Sequence, residues 1–205
     1  NGRTVKSRYV TKNRVDALDE KLDAIFWIMK DDSLPPVVKV EDPILAAVFG
    51  LTLATKRSTA ENVVGDVDLN QLVIEPYADP FRAYPLAEDY RNFRDLFNKN
   101  KTACYILNTD AFHGKDITPQ VTLSSIEKII TGEAIFEQFG PIKEMSYLPI
   151  EGYELDLNDK KYMKDIHARL QSRLDFILKE NNTNEGYDAL PEETAEMMRH
   201  VISEL

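Results

Sequence analysis

The sequence is short of several residue types and patterns, and each shortage excludes a class of protein. A single cysteine, Cys104, leaves no possibility of a disulfide within the chain. It lies in the apolar run Ala103–Leu107, which predicts a buried, reduced thiol and a cytoplasmic location. The longest apolar run, Ile44–Ala54, is interrupted by Gly50 and Thr52 and falls short of the roughly 20 residues that a bilayer-spanning helix needs. We therefore expect no membrane-spanning segment.

Positive charge is also scarce. The 205 residues include 35 acidic and 25 basic side chains, a net charge of -10. Such a surface repels both polyphosphate backbones and anionic lipids, so neither nucleic acid nor membrane is an expected partner. An apolar content of 43% is enough to build the core of a globular domain.

Local motifs for phosphate cradling or metal binding are absent. The sequence contains no GxxxxGK[ST], GxGxxG, HExxH or paired CxxC pattern. His113 stands in a polar loop and could act as an acid, base or ligand, although a lone histidine beside an aromatic residue is more often an ordinary surface residue. Arg3, Lys6 and Arg8 form a basic cluster that could bind an anion, although such stretches are usually solvent-exposed. The acidic run Glu151–Asp159 indicates a solvated surface rather than a metal site.

Apolar periodicity and capping residues predict an α/β fold with a mixed β-sheet and flanking helices. Asp42 followed by Pro43 is typical of a helix start. The predicted elements are a strand over Leu22–Met29, a helix over Ile44–Leu53, an amphipathic helix over Leu86–Asn100, and a strand over Thr102–Leu107. The interrupted stretch Ser58–Ile74 predicts loops or a small hairpin.

Three helices are predicted in the second half of the chain. The first begins at Thr122 or Ser124 and ends at Gly132, and the second is a long amphipathic helix over Asp159–Lys179. A linker-like stretch then leads to a short helix from Pro191 to Ile202. We divide the chain into a main unit, 1–180, and a linker with a terminal helix, 181–205.

The polar loop Asn108–Lys115 follows a predicted buried strand. In α/β folds, ligand contacts cluster at the carboxyl ends of strands. This loop is therefore the first place to expect a binding site.

Several landmarks over residues 1–180 stand in the order in which they occur in the C-terminal part of ATP-dependent phosphoenolpyruvate carboxykinases, which this chain resembles. They are Ile25–Ile28 leading to Leu34–Val37, Leu51–Lys56 followed by Ser58–Glu61, Tyr77–Phe81 with Tyr84 and Pro85, Tyr105–Thr109, and Gly114–Thr118 with the later Thr122. The resemblance implies the C-terminal lobe of the carboxykinase fold.

The resemblance also implies an activity: conversion of oxaloacetate and ATP to phosphoenolpyruvate, CO2 and ADP. In that family the phosphate loop, the ligands of the divalent metal (Mg or Mn) and most oxaloacetate contacts lie upstream of the matched region. Asn1 opens the sequence with a polar, basic stretch. We therefore expect a segment of a longer, ATP-dependent enzyme that is inactive alone and meets oxaloacetate and phosphoenolpyruvate together with the N-terminal part of its parent.

Five residues fall on functional positions of the family. Arg8 resembles the arginine that reaches the γ-phosphate and phosphoenolpyruvate, with Arg3 as a competing match; a guanidinium suits phosphoryl transfer because it stays charged and presents a fork of donors. Lys115, Asp116, Ile117 and Thr122 match the adenine-side loop, where Ile117 would pack on the base and Thr122 would offer a hydroxyl.

The sequence departs from the family pattern at three places. Asp116 stands where the family has arginine, Asp110 replaces a glycine, and Met29–Asp32 replaces an Asp-Ala-Phe-Gly tetrad. These changes leave an alternative open, in which the chain is a non-catalytic nucleotide-binding or regulatory module of a divergent carboxykinase relative.

Overall fold

A computed structural model describes residues 12, 20–57, 68 and 71–205. The basic cluster with Arg3 and Arg8, and the stretch Ser58–Glu61, lie outside these described residues.

A five-stranded sheet forms the centre of the described fold, with strand order β1-β5-β2-β9-β8. Its strands are β1 (Ala24–Met29), β2 (Val37–Val40), β5 (Ala103–Asn108), β8 (Glu137–Phe139) and β9 (Ile142–Tyr147). Strand β5 runs parallel to β1 and antiparallel to β2, so the sheet is mixed. Two small antiparallel sheets accompany it: β3 (Ala54–Lys56) with β4 (Leu72–Ile74), and β6 (Ala111–Phe112) with β7 (Lys115–Asp116).

The described residues also form five α-helices: α1 (Pro43–Leu51), α2 (Leu86–Asn100), α3 (Pro119–Thr131), α4 (Lys160–Glu180) and α5 (Glu192–Glu204). Asp42 caps α1 by accepting the N–H groups of Ile44 and Leu45 at 2.8 and 2.9 Å. Asp159 caps α4 in the same way. These observations confirm the predicted mixed α/β fold with flanking helices.

Side chains alternate between the two faces of the sheet. Trp27 and Met29 of β1 belong to the main core, together with buried residues of α1, α2, α4 and α5. Phe26 lies on the opposite face, where Ile126 and Ile129 of α3 pack against Val37 and Leu107. The terminal helix α5 therefore shares its core with the main unit.

Two predicted helix boundaries were wrong. Helix α3 begins at Pro119 rather than near Thr122 or Ser124, because Thr118 accepts the N–H of Val121 and proline suits the first helical position. Helix α1 ends at Leu51, and Leu53 is a buried residue beyond it. Among the described residues, no helix is long and apolar enough to cross a bilayer.

Candidate functional site

The candidate site lies at the carboxyl ends of β1 and β5. Because these strands are parallel and Met29 pairs with Asn108, the loops that follow them leave the sheet at the same edge. The Thr109 N–H donates to the Met29 carbonyl at 2.9 Å, which extends the pairing into the second loop. The polar loop expected from the sequence therefore does follow a buried strand.

Asn108 joins the two loops. Its side chain is fully buried, and its amide nitrogen donates to the carbonyls of Leu34 at 2.7 Å and Ala111 at 2.9 Å. Its amide oxygen accepts the N–H groups of Asp31 at 3.4 Å and Asp110 at 3.1 Å. All four contacts go to backbone groups, so Asn108 fixes the course of both loops.

A buried ion pair holds the loop that follows β1. Asp31 is fully buried, and its carboxylate accepts from Arg173 Nη2 at 2.5 Å and lies 3.3 Å from Arg169 Nε. Arg173 also donates to the hydroxyl and carbonyl of Thr52, at the end of α1. Burial lowers the pKa of Arg173, while Asp31 acts in the opposite direction. The guanidinium nonetheless remains charged at neutral pH, so the pair ties α4, α1 and the loop after β1 together.

Asp110, in the loop after β5, pairs with a lysine. Its Oδ2 binds Lys56 Nζ, and both side chains are about three-quarters covered. Lys56 is the last residue of β3. The negative charge of Asp110 is thus compensated locally.

The second loop is a tight hairpin, β6–β7, that turns at His113 and Gly114. Both residues have positive φ, 51° and 75°, as a two-residue hairpin turn requires. The His113 ring lies 4.7 Å from the Tyr162 ring, and the Tyr162 hydroxyl donates to the Ser33 carbonyl at 3.0 Å. Helix α4 thus contacts both loops.

A polar cleft of about 640 Å³ opens between these elements. It is lined by the loop after β1, the hairpin turn and the first half of α4: Asp32, Ser33, His113, Gly114, Asp159, Lys161, Tyr162, Asp165, Ala168 and Arg169. Arg169 is held in place by Asp32 at 3.1 Å as well as by Asp31. Charges of both signs face the cleft.

The residues predicted for the adenine-side loop differ in exposure. Lys115 is exposed; its ammonium donates to the Gly152 carbonyl at 3.0 Å and lies 4.4 Å from the centre of the Tyr153 ring. The Asp116 side chain is exposed, and its carbonyl accepts the Tyr153 hydroxyl at 2.6 Å.

Ile117 and Thr122 stand further from solvent. Ile117 is 6% exposed and belongs to the main core, so little of its side chain is open to a ligand. Thr122 is half-buried in the first turns of α3. Gly114 is the part of the predicted loop that reaches the polar cleft.

Sequence reasoning missed Asn108 and Arg173 as the residues that organise the site. Arg173 stands three residues after Leu170, on the apolar stripe of α4, and an arginine on such a stripe is a detectable signal. Asn108 gave no comparable signal, because its partners are backbone groups up to 77 positions away.

Among the described residues, no group of three or more histidine, cysteine or acidic side chains is arranged to hold a metal ion. Comparison with known proteins finds no matching family and no significant match to a curated protein.

Proposed function

We propose that this chain forms the adenine-side lobe of a phosphoenolpyruvate carboxykinase-like enzyme that uses ATP to convert oxaloacetate to phosphoenolpyruvate, CO2 and ADP. One observation carries the proposal. The stretches around Leu34–Val37 and Tyr105–Thr109, which separately resemble the family, meet through the 2.7 Å hydrogen bond from Asn108 to Leu34. The contact brings both stretches to one edge of the sheet, as a single ligand site there requires, and in this way supports the proposal.

In this proposal the hairpin and the start of α3 border the base of the nucleotide. Lys115, Asp116 and Thr122 form that border together with Ile117, which offers only the exposed 6% of its surface, and Arg8 is assigned to the transferring phosphate. Adenine is neutral and binds through stacking and backbone hydrogen bonds, so the exposed Asp116 carboxylate does not by itself exclude it.

The described residues are better suited to bind the adenine base of ATP than its phosphates. Of the two cations that line the cleft, Arg169 already contacts Asp31 and Asp32, which leaves Lys161. A bound Mg²⁺ or Mn²⁺ would neutralise phosphate charge. Its ligands, like the phosphate loop, belong to the upstream part of the proposed parent.

The non-catalytic alternative is favoured by the Lys56–Asp110 pair. The lysine of a family-like stretch is held by a carboxylate that the family lacks, and Asp116 adds a second negative charge nearby in the sequence. A relative that kept the fold but lost turnover would accumulate such changes.

The direct test is phosphoenolpyruvate formation by the full-length gene product with oxaloacetate, ATP and divalent metal. The proposal requires oxaloacetate-dependent ADP release, and Arg8→Lys should lower kcat/KM about tenfold or more, because a charge-assisted hydrogen bond contributes about 1.5–3 kcal/mol. ATP binding without turnover would instead support the non-catalytic alternative.

The position of the adenine-side loop has its own test. Asp116→Arg should tighten Mg-ATP binding by the full-length product, whereas the matched change Asp156→Arg, at another exposed carboxylate, should not. The isolated chain should bind Mg-ATP weakly in titration calorimetry, because it lacks a glycine-rich phosphate loop and carries a net charge of -10. A dissociation constant in the low micromolar range for the isolated chain would contradict the proposal.

A further inference from the structure

The loop before α2 presents aromatic side chains to solvent. Phe81 is 90% exposed and Tyr84 is 41% exposed. With the neighbouring carboxylates of Asp79, Glu88 and Asp89 they form what we call the Phe81 surface. It lies apart from the polar cleft, with which it shares no lining residue.

The loop is held in a defined conformation. Asp79 Oδ1 accepts the Phe81 N–H at 3.0 Å, and Arg82 Nε donates to the Tyr84 carbonyl at 3.1 Å. Arg82 Nη2 also contacts Asp188 Oδ1 at 3.4 Å, which anchors the loop to the segment before α5. The exposed Phe81 therefore lies on a loop with a fixed backbone conformation. A preorganised loop loses little conformational entropy when a partner covers it.

Within the described part of the chain, the carboxylate of Asp89 has a hydrogen-bond partner for only one of its two oxygens. Asp89 is 9% exposed; its Oδ1 accepts the Tyr84 hydroxyl at 3.1 Å, while its Oδ2 is buried without a hydrogen-bond partner among the described residues. Its place in the first turn of α2 gives it some stabilisation from the helix dipole. The buried Oδ2 still lacks the donor that such an atom normally has.

Three carboxylates act on the exposed Tyr84 hydroxyl. The pKa of Tyr84 is raised, first by its hydrogen bond to Asp89 and the charge of that residue, and further by Asp79 and Glu88. The one arginine of the loop, Arg82, is bound to Asp188 and to a carbonyl. The surface around Tyr84 is therefore net negative, with an aromatic ring at its centre.

We propose that the Phe81 surface docks a protein segment that carries an arginine or lysine next to an apolar side chain. The cation lies over the Tyr84 ring, where the ring and three carboxylates attract it, and the apolar side chain packs on Phe81. A second copy of this chain is a poor occupant, because each copy has a net charge of -10.

The proposal is tested on the isotopically labelled chain by NMR titration with the peptide Ac-Arg-Leu-Arg-Leu-Arg-NH2. The amide signals of residues 79–89 should shift. Phe81→Ser and Asp89→Asn should each weaken binding about tenfold, the effect of losing one well-placed contact. Ile130→Ser is the matched control, since Ile130 is 76% exposed on α3, and it should leave the affinity unchanged.

Two further peptides separate the contributions. Replacing arginine by glutamate in the peptide should abolish binding, and replacing leucine by serine should weaken it. Equal binding of either peptide, shifts confined to other acidic surfaces, or an affinity unaffected by both Phe81→Ser and Asp89→Asn would overturn the proposal. Unfolding curves of both variants check that each is folded under the conditions of the titration; Phe81 is exposed, so Phe81→Ser should leave the fold intact.

Discussion

Arg173 Nη2 and Asp31 Oδ2 lie 2.5 Å apart, in side chains that are 2% and 0% exposed. Removing one member of a buried pair costs about 3–5 kcal/mol, and without Arg173 the Asp31 carboxylate would keep only the partly exposed Arg169 at 3.3 Å. We expect Arg173→Met to lower the free energy of unfolding by that amount in urea denaturation. Arg169→Met, at a position where the side chain is 30% exposed, should cost about 1 kcal/mol or less.

The double variant Arg173→Met with Asp31→Asn completes the cycle. Because both charges are removed together, its loss should be smaller than the sum of the two single losses. Additive losses would show that the two side chains stabilise the fold independently.

Asn108→Asp should destabilise the fold although it barely changes the shape of the side chain. The new carboxylate oxygen would face the carbonyls of Leu34 and Ala111, which now accept hydrogen bonds from Asn108. Each group left without a donor costs about 1–3 kcal/mol, so a loss of at least about 2 kcal/mol is expected in chemical denaturation. Asn158→Asp, at an exposed position, serves as the control and should change stability little. A neutral effect of Asn108→Asp would mean that the two loops hold their course without this residue.

Tyr90→Phe tests a tie between α2 and α5 and its dependence on pH. The buried Tyr90 hydroxyl donates to Glu193 Oε1 at 2.7 Å, and its loss should cost about 1 kcal/mol at neutral pH. Burial acts to raise the pKa of Glu193, but hydrogen bonds from Tyr90 and Arg94 outweigh it, so the pKa is lowered overall.

The pKa of a glutamate in the unfolded chain is about 4.3. When folding lowers this pKa, the carboxylate stabilises the fold at pH values above the unfolded-state pKa. The stabilisation is lost as the pH falls through the folded-state pKa. Urea curves of the wild type and Tyr90→Phe should therefore converge on acidification below about pH 4. If the difference in the free energy of unfolding between the two proteins stays constant down to strongly acidic pH, the charge of Glu193 does not contribute to it.

Gly50→Ala should disturb the aromatic cluster next to α1. A Cβ at this position would lie 2.6 Å from Trp27 Cζ2 and 2.8 Å from Tyr77 Cε1, closer than packed atoms allow. Such overpacking costs about 1–3 kcal/mol. Trp27 is the only tryptophan, so its fluorescence spectrum should change as well.

Gly114→Ala provides the comparison. It has open space around it but a φ of +75°, so it should cost about 1–2 kcal/mol through backbone strain and leave the fluorescence spectrum unaltered. An unchanged Trp27 spectrum in Gly50→Ala would show that the ring can move aside.

The long amphipathic helices were predictable because their signal is local. Tyr162, Ile166 and Leu170 recur with helical spacing in α4, and the observed helix agrees with the prediction to within a residue at each end. The short strand β2 was missed because it has only four residues and comes directly after two prolines. Strand β8 was missed because it has only three residues, of which Glu137 and Gln138 are polar. Such strands are defined by their partners rather than by their own pattern.

The candidate site was only partly predictable for a related reason. The sequence indicates that a polar loop follows β5, but the contacts that shape this loop come from Leu34, Lys56 and Tyr162, which are distant in sequence. Conversely, Ile117 gave no sign that it would be buried, because its neighbours Lys115 and Asp116 are charged.

The pairing of β1 with β5 has a consequence for how the chain acquires its structure. Asp31 and Asn108 are 77 positions apart, and β1 and β5, which bring them together, are parallel, so no local hairpin can form this contact. Folding rates fall as contacts become more distant in sequence, because the entropy of closing a long loop is lost before the contacts form. Helices α1 and α2 lie between the two strands and can form early, whereas the edge that carries the candidate site is completed late. We expect refolding to be slow for a chain of this size, with the site as one of its last parts to assemble.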